Sequence, residues 1–295
     1  MNKKGAVNMA KEYTVCGTDK PRLVREILQK ELCLSQNAIK KVKRGGLSVG
    51  GRAVTVRYLL KEGETLTVSF PEEDGSDILP CEMLLDIVYE DEYLLCINKP
   101  PNMPVHPCRG NHLPTLAEGV MHYLGKGFVF RAVNRLDRDT SGIVLIAKDP
   151  DTAYRLGEQL KRGEIEKEYL ALCKGKTSEK SGTIDAPIIR ETEGNIRRVV
   201  REDGKRAITQ YQVLSECERD RETTSLLRVV PITGRTHQIR VHLAHIGLPL
   251  LYDFLYGERV EGKHYYLHCE KLRFIHPFTN QKIEITAPCT FSVEI

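Results

Sequence analysis

The sequence has no apolar stretch near the roughly 18 residues a membrane-spanning helix needs, and its start, MNKKGAVNMAKEY, lacks the long apolar core of a secretory signal. A soluble, cytoplasmic protein is expected. Its nine cysteines include no C-x-x-C pair. An odd, dispersed set in a chain without an export signal reads as reduced, buried thiols rather than a disulfide framework or a zinc site. CKGKTSEK contains Gly-Lys-Thr, but Leu170 stands where a phosphate loop has its first glycine. HQIRVHLAH holds three histidines without a carboxylate at zinc-protease spacing, so they read as ordinary helical histidines. A hydrolase-type nucleophile elbow, an internal repeat and a low-complexity segment are not expected either.

What is present fits a globular protein: 295 residues, 41% of them hydrophobic, suit one large domain plus a small one. The charge is uneven. Residues 1–75 carry 14 Lys and Arg against 9 Asp and Glu, while the remainder carries 30 against 31. A basic excess at one end suggests an appendage that meets a polyanion.

Within that basic end, DKPRLVREILQKELCL predicts a helix capped by Asp19, with Leu23, Ile27, Leu28 and Leu32 on one face. A second helix follows from Ser35, burying Ala38, Ile39 and Val42 and stopping at Gly45; Lys40, Lys41, Lys43 and Arg44 fill its other face and last turn. LSVGGRAV reads as a hairpin turning at Gly50-Gly51, and TLTVSF as a strand with Leu66, Val68 and Phe70 on one side. PEEDGSDILP, residues 71–80, reads as an acidic linker, giving expected domains 1–75 and 76–295.

The larger part mixes strands and helices without strict alternation, which predicts an α+β fold with a mixed, largely antiparallel sheet and flanking helices. DIVYEDEYLLCINKP predicts a hairpin turning at residues 90–92. Thr115 and Glu118 form a capping box before LAEGVMHYL, with Gly125 as its stop. IVLIAK is a short buried strand, Asp149-Pro150 opens a helix ending near Gly163, and EKEYLALC returns as a strand.

Between these elements VNRLDRDTSG, residues 133–142, packs four charged side chains just before a buried strand. Leu136 anchors the segment, and Thr140, Ser141 and Gly142 suit a tight turn. Asp137 and Asp139, two positions apart, point to opposite faces in extended geometry, so they are not a glycosidase-type carboxylate pair and only one is expected to be chemical. TGRTHQIR predicts a helix starting at Thr236, with Arg235 and Arg240 near its positive end.

NRLDRDTSG resembles the signature of RluA-type pseudouridine synthases, and further matches run in family order: YEDEYLLCINKP with MPVHP, KEYLAL, GKRAITQY, TGRTHQIRVHLAHIGLPLLYD and YYLHCEKLRFIHP. The N-terminal helices and hairpin resemble the alpha-L RNA-binding domain first seen in a small-subunit ribosomal protein. The resemblance implies an isomerase that converts uridine to pseudouridine in RNA, ribosomal more than transfer RNA, without cofactor or metal, and acting as a monomer. It implies a catalytic carboxylate at Asp137, an active-site aromatic at Tyr169 and a basic partner at Arg240. A nearby guanidinium keeps a carboxylate charged when burial would neutralise it. Asn134, Arg135, Arg138, Arg235 and His106 are then candidates for substrate contact, and Lys40, Lys41, Lys43 and Arg44 for phosphate contact. Two positions depart from the pattern: Asn134 replaces a histidine, and Tyr252 replaces the glycine before Asp253. A binding protein that keeps the fold without the chemistry, or an RNA N-glycosidase, are the rival readings.

Overall fold

The chain divides into two units, Met1–Asp77 and Ile78–Ile295. The computed structural model describes every residue except 1–9, 17–19, 33, 35, 44, 70–77, 108–112, 126, 220–221, 290 and 292–295. The first unit runs β1 (Ala10–Thr14), β2 (Arg22–Leu23), α1 (Val24–Glu26) widening into a π turn over Ile27–Glu31, α2 (Gln36–Val42), β3 (Leu47–Val49), β4 (Arg52–Ala53), β5 (Leu59–Leu60) and β6 (Thr65–Ser69). An antiparallel sheet ordered β1-β6-β3-β4 packs with the helices around Val24, Ile27, Leu28, Ile39, Val42, Leu66 and Val68. The first helix starts later than its apolar spacing suggests. Arg22 and Leu23 are drawn out as a strand pairing with Leu60 and Leu59, and Val24 is the first helical residue. Asp19, Ser35, Arg44 and Phe70 lie outside the described residues, as does most of the expected linker. Gly50 and Gly51 both take positive φ, 54° and 79°, as a two-residue hairpin turn requires. GLSVG, residues 46–50, has the G-x-S-x-G spacing of a nucleophile elbow. It runs along a strand into this hairpin, not through a strand-to-helix turn.

The second unit contains β7 (Ile87–Glu90), β8 (Leu94–Lys99), α3 (Leu116–Leu124), β9 (Ser141–Ala147), α4 (Pro150–Arg162), β10 (Glu166–Lys174), β11 (Ser181–Asp185), β12 (Ile188–Arg190), β13 (Arg198–Val200), β14 (Ile208–Arg219), β15 (Glu222–Pro231), α5 (Gln238–His245), β16 (Leu267–Ile275) and β17 (Lys282–Thr286). Nine strands form one sheet in the order β11-β14-β15-β10-β16-β9-β8-β7, with β17 also on β16. Its pairings are antiparallel except for β9 on β16, which makes the sheet mixed and largely antiparallel. Every residue of β8 and β9 is buried, the apolar runs LLCI and IVLIA together with the polar Asn98, Lys99 and Ser141. Local signals set the helix ends. Thr115 and Glu118 form the reciprocal capping box of α3. Asp149 accepts from the backbone of Asp151 and Thr152 at the start of α4, and Gly163 ends that helix in the left-handed region. β12 and β13 stand apart as a two-stranded hairpin.

Candidate active site

The NRLDRDTSG segment turns directly into β9, and nearly every side chain in it has a structural reason. Leu136 is buried in the core. The Asn134 amide donates to the Ile143 carbonyl at 3.0 Å and accepts from the Leu145 N–H at 2.8 Å, clasping the segment to the strand it feeds. Asn134 is 6% exposed with both amide ends engaged, so in this structure its amide serves as a clasp. Asp139, 5% exposed, is held by both the Nε and Nη2 of Arg138. Thr140 bonds the Tyr265 hydroxyl, and Ser141 the His268 ring. Gly142 sits at φ 103°, where a Cβ would lie 2.3 Å from the Cys269 carbonyl oxygen, so the close parallel approach of β9 to β16 admits only glycine. That leaves Asp137, whose side chain is 31% exposed, as the carboxylate not committed to structure.

Asp137 Oδ2 lies 3.3 Å from Arg240 Nη1. Arg240, on the buried face of α5, gives its remaining fork to Asp253, with Nε to Oδ2 and Nη2 to Oδ1 both at 2.8 Å. Asp253 is fully buried, and its Oδ1 also accepts from the backbone of Leu255 and Tyr256. The guanidinium carbon lies 4.3 Å from the ring centre of Tyr265, 5.0 Å from Tyr256 and 5.5 Å from Phe254. Burial works against the charge of Arg240, but the Asp253 hydrogen bonds and the surrounding negative charges outweigh it and raise its pKa. Asp137 therefore faces a permanent, rigidly aimed cation.

α5 begins at Gln238, two residues later than its expected start at Thr236, and His237 caps it in the left-handed region at φ 56°. Gln238 fixes this turn by accepting from the Arg235 N–H and the Thr233 hydroxyl while donating to Ile208 and Thr209. His237 is consequently no ordinary helical histidine: its Nε2 lies 3.9 Å from Asp137 Oδ2. His242 is one, buried between Thr209 and the Ala186 carbonyl.

Tyr169 stands on β10 at a bulge: its partner on β16 is Cys269, while Glu168 pairs with Lys271, so Glu270 is the extra residue on β16. It is 7% exposed. Burial drives its phenol well above the ordinary range, with additions from Cys269 and from the Asp137 charge. Lys99, fully buried on β8, donates to the carbonyls of Pro100, Met103 and Arg138, tying two loops at the site. Burial pushes its pKa down to about 7, against the raising effect of Asp139 and Asp137.

Of the other expected contact residues, Arg135 is exposed, and Arg235 is exposed with Nε on the Arg206 carbonyl. His106 packs edge-on against Phe130, centroids 4.9 Å apart. Lys40, Lys41 and Lys43 are exposed in the first unit. Sequence reasoning gave no role to Asp253, Tyr256, Tyr265, His237 or Lys99. Asp253 had a signal, since it falls inside a matched stretch. Tyr252, in the place of a glycine, takes φ 64°, which is the conformation that favours glycine there.

Residues 93–245 match the family model described as RNA pseudouridylate synthase. The chain is 42% identical over 265 residues to the Bacillus subtilis strain 168 protein named uncharacterized RNA pseudouridine synthase YjbO, covering 88% of this chain and 92% of the relative. It is 35% identical to ribosomal large subunit pseudouridine synthase D of Xanthomonas campestris pv. campestris, over 84% of this chain and 78% of that one. Among solved structures, human RNA pseudouridylate synthase domain containing 1 superposes with a TM-score of 0.61 at 29% identity, covering 71% of this chain and 85% of the other. The chain therefore belongs to the RNA pseudouridine synthase family, isomerases that act on the uridines of RNA.

Proposed function

We propose that this protein isomerises specific uridines of large-subunit ribosomal RNA, with Asp137 as the nucleophile acting on a uridine flipped out of its stack. The observation that carries the reading is the Asp137–Arg240 contact at 3.3 Å, with the guanidinium anchored from behind by Asp253. The ribosomal substrate rests on the name of the Xanthomonas relative.

In the isomerisation the bond from ribose C1′ to uracil N1 breaks and a bond from C1′ to C5 forms; C5 loses a proton and N1 gains one. The reaction has no redox change and needs no external donor. A carboxylate suits it, because it can attack or stabilise C1′ and then leave again. Arg240 sets a fixed positive charge beside that carboxylate. Extruding the base costs stacking, and an aromatic face restores part of it. Tyr169 fits that part. Its raised pKa keeps the phenol protonated, so it offers a ring face and an O–H rather than a ready base. The first unit, with exposed Lys40, Lys41 and Lys43 on and just after α2, supplies sequence-independent phosphate contact in the manner of an alpha-L domain. Arg135, Arg138 and Arg235 add contacts nearer the chemistry.

The test is Asp137→Ala assayed with ribosomal RNA transcripts tritiated at uridine C5. Tritium release should fall to background while RNA binding persists. Wild-type release by this variant would overturn the nucleophile assignment.

A further inference from the structure

His237 sits in a hydrogen-bonded line that the assigned chemistry does not use. The Tyr256 hydroxyl accepts from the backbone N–H of Arg198 at 2.9 Å and meets His237 Nδ1 at 2.8 Å. A phenol has one proton to give. The Arg198 N–H cannot accept, so that proton is available to Nδ1. An imidazole that accepts at Nδ1 carries its own proton on Nε2, the nitrogen 3.9 Å from Asp137 Oδ2. The line thus starts on the β12–β13 hairpin and ends at the His237 ring, whose Nε2 faces the carboxylate across 3.9 Å.

Backbone geometry points the same way. His237 holds the left-handed conformation, φ 56°, at the start of α5 without any side-chain cap to the helix. A β-carbon-bearing residue adopts that conformation at a cost, and here it aims the ring away from the helix and at Asp137. The groups facing the ring are Asp137, Asp253, Arg240 and Arg198, besides Tyr256. Burial, aided by the two arginines and opposed by the two carboxylates, holds it below its ordinary pKa and therefore neutral near pH 7.

We infer that His237 is a positioning residue for the nucleophile, held by Tyr256 as the Nε2–H tautomer so that its proton faces the Asp137 carboxylate alongside Arg240. Arg240 supplies the charge and hydrogen-bonds Oδ2 from one direction; the His237 N–H dipole, 3.9 Å away, attracts the same oxygen from a second, which biases rotation about the carboxyl bond. The inference rests on the reading of Asp137 as nucleophile.

The full-length protein tests it in two independent ways. Long-range proton–nitrogen NMR of the histidine-labelled free protein should show His237 protonated on Nε2 near pH 7.5, and Tyr256→Phe should remove that bias. Single-turnover tritium release from saturating C5-tritiated ribosomal RNA transcript should fall about tenfold to a hundredfold in His237→Gly, the range a misplacement of about 1 Å produces. Affinity for the RNA should not change. Glycine adopts the left-handed backbone freely, so this loss does not come from strain. His237→Gln, which offers an N–H at a similar reach, should recover part of the rate. A proton on Nδ1 would overturn the inference. So would a wild-type rate in His237→Gly beside an inactive Asp137→Ala. An active Asp137→Ala would instead sink the nucleophile reading, leaving the tautomer result to stand alone.

Discussion

Asp137 and Asp253 share one guanidinium. Arg240 gives Asp253 two hydrogen bonds of 2.8 Å and offers Asp137 a single, longer one of 3.3 Å. The asymmetry separates two roles: Asp253 fixes where the cation points, and Asp137 is left with its second oxygen free of Arg240.

Removing Asp253 should be costlier than its distance from solvent suggests. Asp253→Ala leaves Arg240 buried with half its fork unpaired, and breaking a buried pair from one side costs about 3–5 kcal/mol. Urea denaturation should show a loss of that order. Arg240→Lys should also fail to rescue activity, since an ammonium cannot bond Asp253 through a planar fork and reach Asp137 as well. A lysine variant with near wild-type turnover would contradict the shared-guanidinium picture.

Asn134 should matter for stability and not for RNA affinity. Truncation in Asn134→Ala strips partners from the Ile143 carbonyl and Leu145 N–H, each worth about 1–3 kcal/mol if left unsatisfied. The expected outcome is a clear fall in Tm with unchanged RNA binding at a temperature where the variant is folded. Weakened binding without a stability loss would return this residue to the substrate surface.

Stability should decline on mild acidification. Burial lowers the pKa of His237, His242 and His268 below the ordinary histidine value near about 6.5. Below that value the unfolded chain binds protons that the folded chain refuses, so stability present above about pH 6.5 is lost as pH falls through the folded-state values. Denaturation midpoints at pH 7.5 and 5.5 should show the drop. It should shrink when His268, which bonds Ser141 and the Ala287 carbonyl, is replaced by Gln, which keeps a donor and an acceptor. A flat profile across this range would mean that these rings protonate without resistance.

Much of the local architecture could be read from short-range chemistry. The capping box at Thr115, the Asp149 cap, the Gly163 stop and the double-glycine hairpin appear where their residues predict, because each depends on atoms a few positions apart. Failures came where a distant partner intervened. Leu59 and Leu60 pulled Arg22 and Leu23 out of the first helix, and Gln238, bonded to Ile208 and Thr209, is where α5 begins instead of at Thr236. Asn134 read as a site residue from its neighbours in sequence, and in this structure the strand it precedes holds both ends of its amide.

By itself the sequence determined which loop carries the candidate carboxylates: NRLDRDTSG places Asp137 and Asp139 just before a buried strand. Only the tertiary structure decided what surrounds it. Asp137 and Arg240 are 103 positions apart, and no periodicity links them, or either to Tyr169, His237 and Asp253. A guanidinium becomes a rigid, desolvated cation, and a histidine a single tautomer, only when packing removes water and leaves one set of partners within hydrogen-bonding range.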